Sequence, residues 1–182
     1  MSDLKYAASD AVDQARVYVA SILAALGARD PLEVLREMPA ALGSAVAGLS
    51  PVQSSTPEAP GKWSVCQVVQ HLGDSDLVGA FRVRMMLAHE GPTLPGYDQD
   101  LWVERLHRGD ADLGTALAEF TAMRLSNLRL LERATPEDLE RVSIHAERGS
   151  ESVGHMVRLL AGHDIVHLRQ VSRIRRAVAA AG

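Results

Sequence analysis

At 182 residues, 47% hydrophobic and 23% charged, the chain suits one globular domain with a sizeable core. Aromatics are only 4%, so that core is built from Leu, Val, Ile, Ala and Met, which favours interdigitated helices over a β-sandwich. A formal net charge of −4 argues against a nucleic-acid partner held by phosphate neutralisation, one cysteine excludes an internal disulfide framework, and no apolar run is long enough for a transmembrane helix.

The apolar positions Val12, Val19, Ile22, Leu23 and Leu26 predict a first helix from about Ser9 to Leu26, stopped by Gly27. Asp30-Pro31 opens a second, because Asp caps a helix and Pro suits its first position; it runs to about Leu49. Three prolines between Pro51 and Gly61 mark a loop. Ser64 and Gln67 have capping-box spacing, so a helix starts beside Trp63 and continues to about Ala88. Two prolines and two glycines from Gly91 to Tyr97 predict an irregular crossover, followed by a short helix over Asp98 to His107. Asp110 or Asp112 caps the next helix, where Leu113, Leu117, Phe120, Met123 or Arg124, Leu128 and Leu131 fall at helical spacing. That helix ends near Thr135-Pro136. Residues Gly149 to Ser152 precede a last helix running to about Ala180. Period-two alternation is nowhere sustained, so the expected class is all-α: four long helices plus one at the N-terminus, arranged as a bundle.

The last helix carries His163-Asp164-Ile165-Val166-His167. Its apolar stripe runs Val153, Met156, Leu160, His163, His167, Val171, Ile174, Val178, so both histidines point inward. Side chains four apart on a helix are about 5–6 Å apart at Cβ, close enough for two imidazoles to converge on one ion. An isolated pair of this kind is more often hydrogen-bonded core, and a third ligand has to come from elsewhere. Asp164 lies about 100° around the helix from His163, which places it off that face, in contact with a ligand's outer edge or with solvent. His155 is about 12 Å of rise from His163, too far to share an ion, and suits an entrance. His89, His107 and His145 read as surface histidines, and Cys66 as a small buried hydrophobe. The arginines at 169, 173, 175 and 176 read as a solvated helix terminus.

The stretch from Lys62 to Asp74, with Trp63-Ser64 followed by His71-Leu72-Gly73-Asp74, and the later His163-Asp164-Ile165-Val166-His167-Leu168-Arg169-Gln170 together resemble the DinB/YfiT-like four-helix-bundle superfamily. Pro95-Gly96-Tyr97-Asp98 with Trp102, and His145 to Gly149, extend the resemblance from about Asp30 to Ala177. It implies an up-down-down-up bundle over residues 30–182, with residues 1–29 as an additional helix. It also implies a three-histidine metal centre of His71, His163 and His167, holding one divalent ion such as Zn²⁺, Ni²⁺, Fe²⁺ or Mn²⁺.

By the same resemblance the expected activity is that of a metal-dependent thiol transferase or isomerase. It would use a low-molecular-weight thiol such as mycothiol or bacillithiol against a small electrophile, as a homodimer. Only Lys5 and Lys62 of the 19 basic residues are lysines, the bias of a GC-rich bacterial genome, which favours mycothiol; cytoplasmic location is expected. A reading from another class is a non-catalytic bundle, metal-stabilised or a stress-linked binding module. A fourth protein ligand would mark the structural site, and an open position the catalytic one. Asp74 either supports the site or solvates its helix; Tyr97 and Trp102 either meet substrate or anchor the crossover.

Overall fold

The computed structural model describes residues 8–107, 109 and 112–180, with side chains described from residue 16 to 179. Val12 and Asp110 therefore fall outside what is described of side chains and of backbone, respectively. In chain order the elements are α1 (Ala8–Leu26), α2 (Pro31–Val46), α3 (Pro51–Ser55), α4 (Val65–Ala88), β1 (Thr93–Leu94), α5 (Gln99–Leu106), α6 (Leu113–Leu131), α7 (Pro136–Glu140), β2 (Val142–His145), β3 (Gly149–Ser152) and α8 (Val153–Ala180).

Local chemistry sets these boundaries. Asp30 accepts from Glu33 N and Pro31 occupies the first turn of α2. Ser64 and Gln67 form a reciprocal capping box at the start of α4. Asp112 caps α6 through Thr115 N. The stretch expected to be all loop after Pro51 begins with the single turn α3, because Ser50 and Gln53 make a second capping box there. Thr135 and Asp138 make a third at α7.

The long helices α2, α4, α6 and α8 form the bundle. Arg124 on α6 reaches Asp76 on α4, and Arg84 further along α4 reaches Asn127 further along α6, so these two helices run parallel. Leu35 and Gly43 of α2 meet Arg124 and Leu117 of α6 in reverse order, and Gly79 of α4 packs on Leu160 of α8 while His71 meets His163. The sense is up-down-down-up, and the parallel α4–α6 step requires the crossover through β1 and α5. Helix α1 lies along α8, where Gly162 admits the Ile22 backbone.

A small three-stranded sheet, in the order β1-β2-β3, closes one end of the bundle, with β1 parallel and β3 antiparallel to β2. No strand was expected there. In β2 the apolar Val142 and Ile144 face outward and the polar Ser143 and His145 face inward, so its alternation runs opposite to the usual pattern over only four residues.

Two aliphatic cores fill the bundle. One centres on Leu35, Val83, Met86, Leu128 and Met156; the other on Leu42, Val68, Leu72, Phe120, Val171 and Ile174. Between them lies a polar layer at the level of His71, Asp76, Arg124, His163 and His167. Among the described residues no helix is long and apolar enough to cross a membrane.

Candidate metal centre

His71 lies two turns into α4, held in register by the Ser64 capping box, and is buried. His163 and His167 sit one turn apart on α8 with ring centroids 4.2 Å apart. The three rings converge: His71 is 5.1 Å from His163 and 4.8 Å from His167, centroid to centroid. One nitrogen from each lies within 4.8 Å of the others, and the Nε2 atoms of His71 and His163 are 3.1 Å apart. Two nitrogens each about 2.1 Å from a tetrahedral ion stand about 3.4 Å apart, so this spacing fits a shared cation. No fourth His, Cys, Asp or Glu among the described residues joins the cluster.

The protonation state suits ligation. Burial holds the His71 imidazole down to about 3, with repulsion from His167 and His107 adding to it. Burial likewise brings His167 to about 4 against the opposing hydrogen bond to Gln170, and holds His163 well below the usual range with help from its neighbours. All three are neutral at pH 7. His167 Nδ1 donates to Gln170 Oε1 at 2.8 Å, since that oxygen only accepts, which leaves the His167 Nε2 lone pair free to bind. Trp63 covers one flank, 4.9 Å from His71 and stacked at 17° on His167. Its place in the Trp63-Ser64 motif had suggested only a helix start.

Beside the triad opens a cavity of about 400 Å³ between α1, α4, α8 and the crossover. His163 is the one triad member in its wall. Ser75 Oγ lies 3.5 Å from His71 Nε2 and 2.8 Å from the Tyr97 hydroxyl, so two hydroxyl groups flank the metal-facing nitrogens. Burial raises the Tyr97 phenol above its ordinary value, keeping it a neutral donor. Tyr97 lines the cavity, whereas Trp102 packs against it at 4.8 Å and anchors the crossover. The apolar part of the wall comes from Ile22, Val78, Met156 and Leu160.

Several sequence readings need correction. His145 is fully buried on β2 and lines the cavity, not a surface histidine; its Nδ1 accepts from Glu147 N and Arg148 N, which folds the β2–β3 turn around the ring. His107 is half-buried and donates Nε2–H to Asp74 at 2.8 Å, so Asp74 turns to His107 instead of to His71 or solvent. Asp164 is buried against Arg124 and has no solvent contact; burial pushes its carboxyl up to about 6. His155 is half-buried and absent from the cavity wall. His89 is exposed and Cys66 buried, as read from the sequence. Arg173 is not merely solvated but binds Glu58 through two bonds, and Arg175 donates to the Ala45 carbonyl at the end of α2.

The sequence profile of the DinB superfamily matches residues 34–171. The solved structure of YfiT from Bacillus subtilis, described as "a probable metal-dependent hydrolase with an unusual four-helix bundle topology", superposes with a TM-score of 0.71 at 30% identity, over 79% of this chain and 84% of that one. A protein of Oceanobacillus iheyensis named "Putative metal-dependent hydrolase" is 29% identical over 140 residues, 77% of this chain and 81% of its own length. A protein of the same name from Bacillus mycoides is 26% identical over 144 residues, 79% of this chain and 83% of its own.

Proposed function

The chain belongs to the DinB superfamily, and from that premise we propose that it is a metal-dependent enzyme whose single divalent ion is held by His71, His163 and His167. The observation that carries this reading is the three-ligand cluster itself: neutral, with His71 and His167 buried and His163 facing the cavity, and joined by no fourth protein ligand among the described residues. A structural ion is normally closed by four protein ligands, so an open set favours catalysis over the metal-stabilised or binding-module alternative. When bound, such an ion supplies a Lewis acid with open positions, enough to make a water or a thiol nucleophilic near neutral pH.

The chain's own groups then divide the remaining work. Trp63 keeps water from one flank of the triad, and Gln170 fixes the His167 tautomer. The Ser75 and Tyr97 hydroxyls stand where they can donate to an oxygen of a substrate seated beside His163. We assign the nucleophile as the thiol of a small cosubstrate, mycothiol being the favoured one, and the reaction as thiol transfer to, or isomerisation of, an electrophile. A thiol needs only to lose its proton, and among the described residues no carboxylate hydrogen-bonds to the triad to serve water as a base. The second reading is hydrolysis, favoured by the names of the relatives.

Co²⁺-substituted protein separates the two. Sulfur ligation adds a charge-transfer band on titration with mycothiol, bacillithiol, coenzyme A or glutathione, absent with the matching S-methylated compound. An unchanged spectrum with all four thiols removes the thiol reading and leaves hydrolysis.

A further inference from the structure

The wall of the cavity holds a buried guanidinium to which no carboxylate among the described residues is hydrogen-bonded; Glu151 and Glu147 attract it only at longer range, against repulsion from Arg148. Arg82 on α4 is 8% exposed, and its one protein hydrogen bond among the described residues runs from Nη2 to the Pro95 carbonyl at 2.5 Å. Its Nε is enclosed with no acceptor, and no carboxylate among the described residues pairs with it. Buried arginines are ordinarily paired, because removing a lone charge from water costs several kcal/mol. Nearby Arg148 does not share this condition, since it binds Glu151 through two bonds. Glu147, whose carboxylate lies over Gly96, also lines the cavity, but it is exposed to solvent and makes no hydrogen bond to Arg82.

His145 adds a second idle donor beside Arg82. Its Nδ1 accepts from two backbone N–H groups, so the neutral ring carries its proton on Nε2, and that enclosed Nε2–H has no acceptor among the described residues. Arg82 and His145 both belong to the wall of the cavity that reaches His163. Along α4, Arg82 is seven positions beyond Ser75, about 10 Å of helix rise from the triad's hydroxyl flank. Met156 and His163 on the antiparallel α8 span the same distance, with Val78, Gly79 and Leu160 between.

We propose that Arg82 and His145 form a carboxylate subsite, so that the electrophilic substrate is a small organic acid whose carboxylate binds there while its reactive end lies beside His163. This rests on the reading that substrate enters that cavity. A carboxylate offers two oxygens to the two donor side chains, and its single negative charge balances the one unpaired guanidinium. A phosphate dianion would leave a net negative charge buried. The apolar walls between the two ends suit a chain of about five or six carbons.

The test is binding of hexanoate, its neutral isostere hexanamide, and hexyl phosphate to the metal-free protein, followed by NMR. The expected result is hexanoate at least tenfold tighter than hexanamide, and hexyl phosphate weaker than hexanoate. In Arg82→Gln the hexanoate affinity falls to that of hexanamide, which itself is unchanged. Should that variant unfold, the ¹⁵N-resolved Arg82 Nε–H signal of the wild type decides, moving with hexanoate and not with hexanamide. Equal affinities for the acid and its amide, a preference that survives Arg82→Gln, an unmoved Nε–H signal, or tighter binding of the phosphate each overturns the assignment. Because no ion is added, a protein that later proves unable to take up metal leaves this result intact.

Discussion

Arg124 on α6 binds Asp164, the residue after His163, with Nη1 2.5 Å and Nη2 3.0 Å from its two carboxylate oxygens. The same guanidinium holds Asp76 on α4 at 2.9 Å through two bonds and donates to the Leu35 carbonyl on α2 at 3.1 Å. One side chain therefore ties all four bundle helices at the level of the triad. Arg124 remains charged, while burial raises both carboxyls against its attraction.

Replacing Arg124 with Met leaves two buried carboxylates with no counter-charge. The expected loss is about 3–5 kcal/mol at pH 7, measured by urea unfolding. Arg124 lowers both carboxyls, so without it they rise further and the variant takes up protons above about 6, where wild-type Asp164 is still ionised; the deficit should therefore shrink as the pH falls from about 8 towards 6. A deficit that stays constant across that window would show that the loss comes from packing alone.

Much of this architecture is legible in the sequence because its signals are local. Ser64 with Gln67 and Asp30 with Pro31 set helix starts by chemistry confined to one turn. The inward stripe of α8 places His163 and His167 together, and the motif around His71 supplies the third ring. The polar network is harder to read because its meaning is pairwise. Met123 and Arg124 both fit the α6 stripe, and only Asp76 and Asp164 on other helices make the arginine the buried one. A charged side chain in an otherwise apolar stripe was the available signal. The burial of His145 is not legible because β2 buries its polar residues and exposes its apolar ones, nor is that of His107, because a crossover brings it to Asp74.

Gly162 fixes α1 against α8. A Cβ there would lie 2.3 Å from the Ile22 carbonyl oxygen and 2.6 Å from its Cγ2. Gly162→Ala should push α1 outward at a cost of about 1–3 kcal/mol and open the cavity that Ile22 lines. Hydrogen exchange should quicken over residues 16–26 and stay slow in α4; unchanged protection there would mean α1 is not seated by this contact.

His145 gives stability a pH dependence. Burial, with repulsion from Arg148 and Arg82 outweighing attraction to Glu151, brings it from 6.5 to about 4 in the fold. Between those values the unfolded chain binds the proton and the folded chain does not, so stability falls as the pH drops through this window. His145→Gln removes that contribution. Between pH 7 and 4.5 the variant should lose less stability than the wild type by on the order of 2 kcal/mol, read from urea midpoints. Parallel losses would place the acid sensitivity elsewhere.

The triad itself is tested most directly by counting bound metal. Wild-type protein incubated with Zn²⁺, Ni²⁺, Mn²⁺ or Fe²⁺ and dialysed should carry one ion per chain by elemental analysis. His167→Ala should lose most of it, while His155→Ala, two turns away from His163 and outside the cluster, should keep it. A folded wild-type protein that retains none of the four metals, or equal retention by the two variants, would contradict the three-histidine centre and leave His71, His163 and His167 as packing.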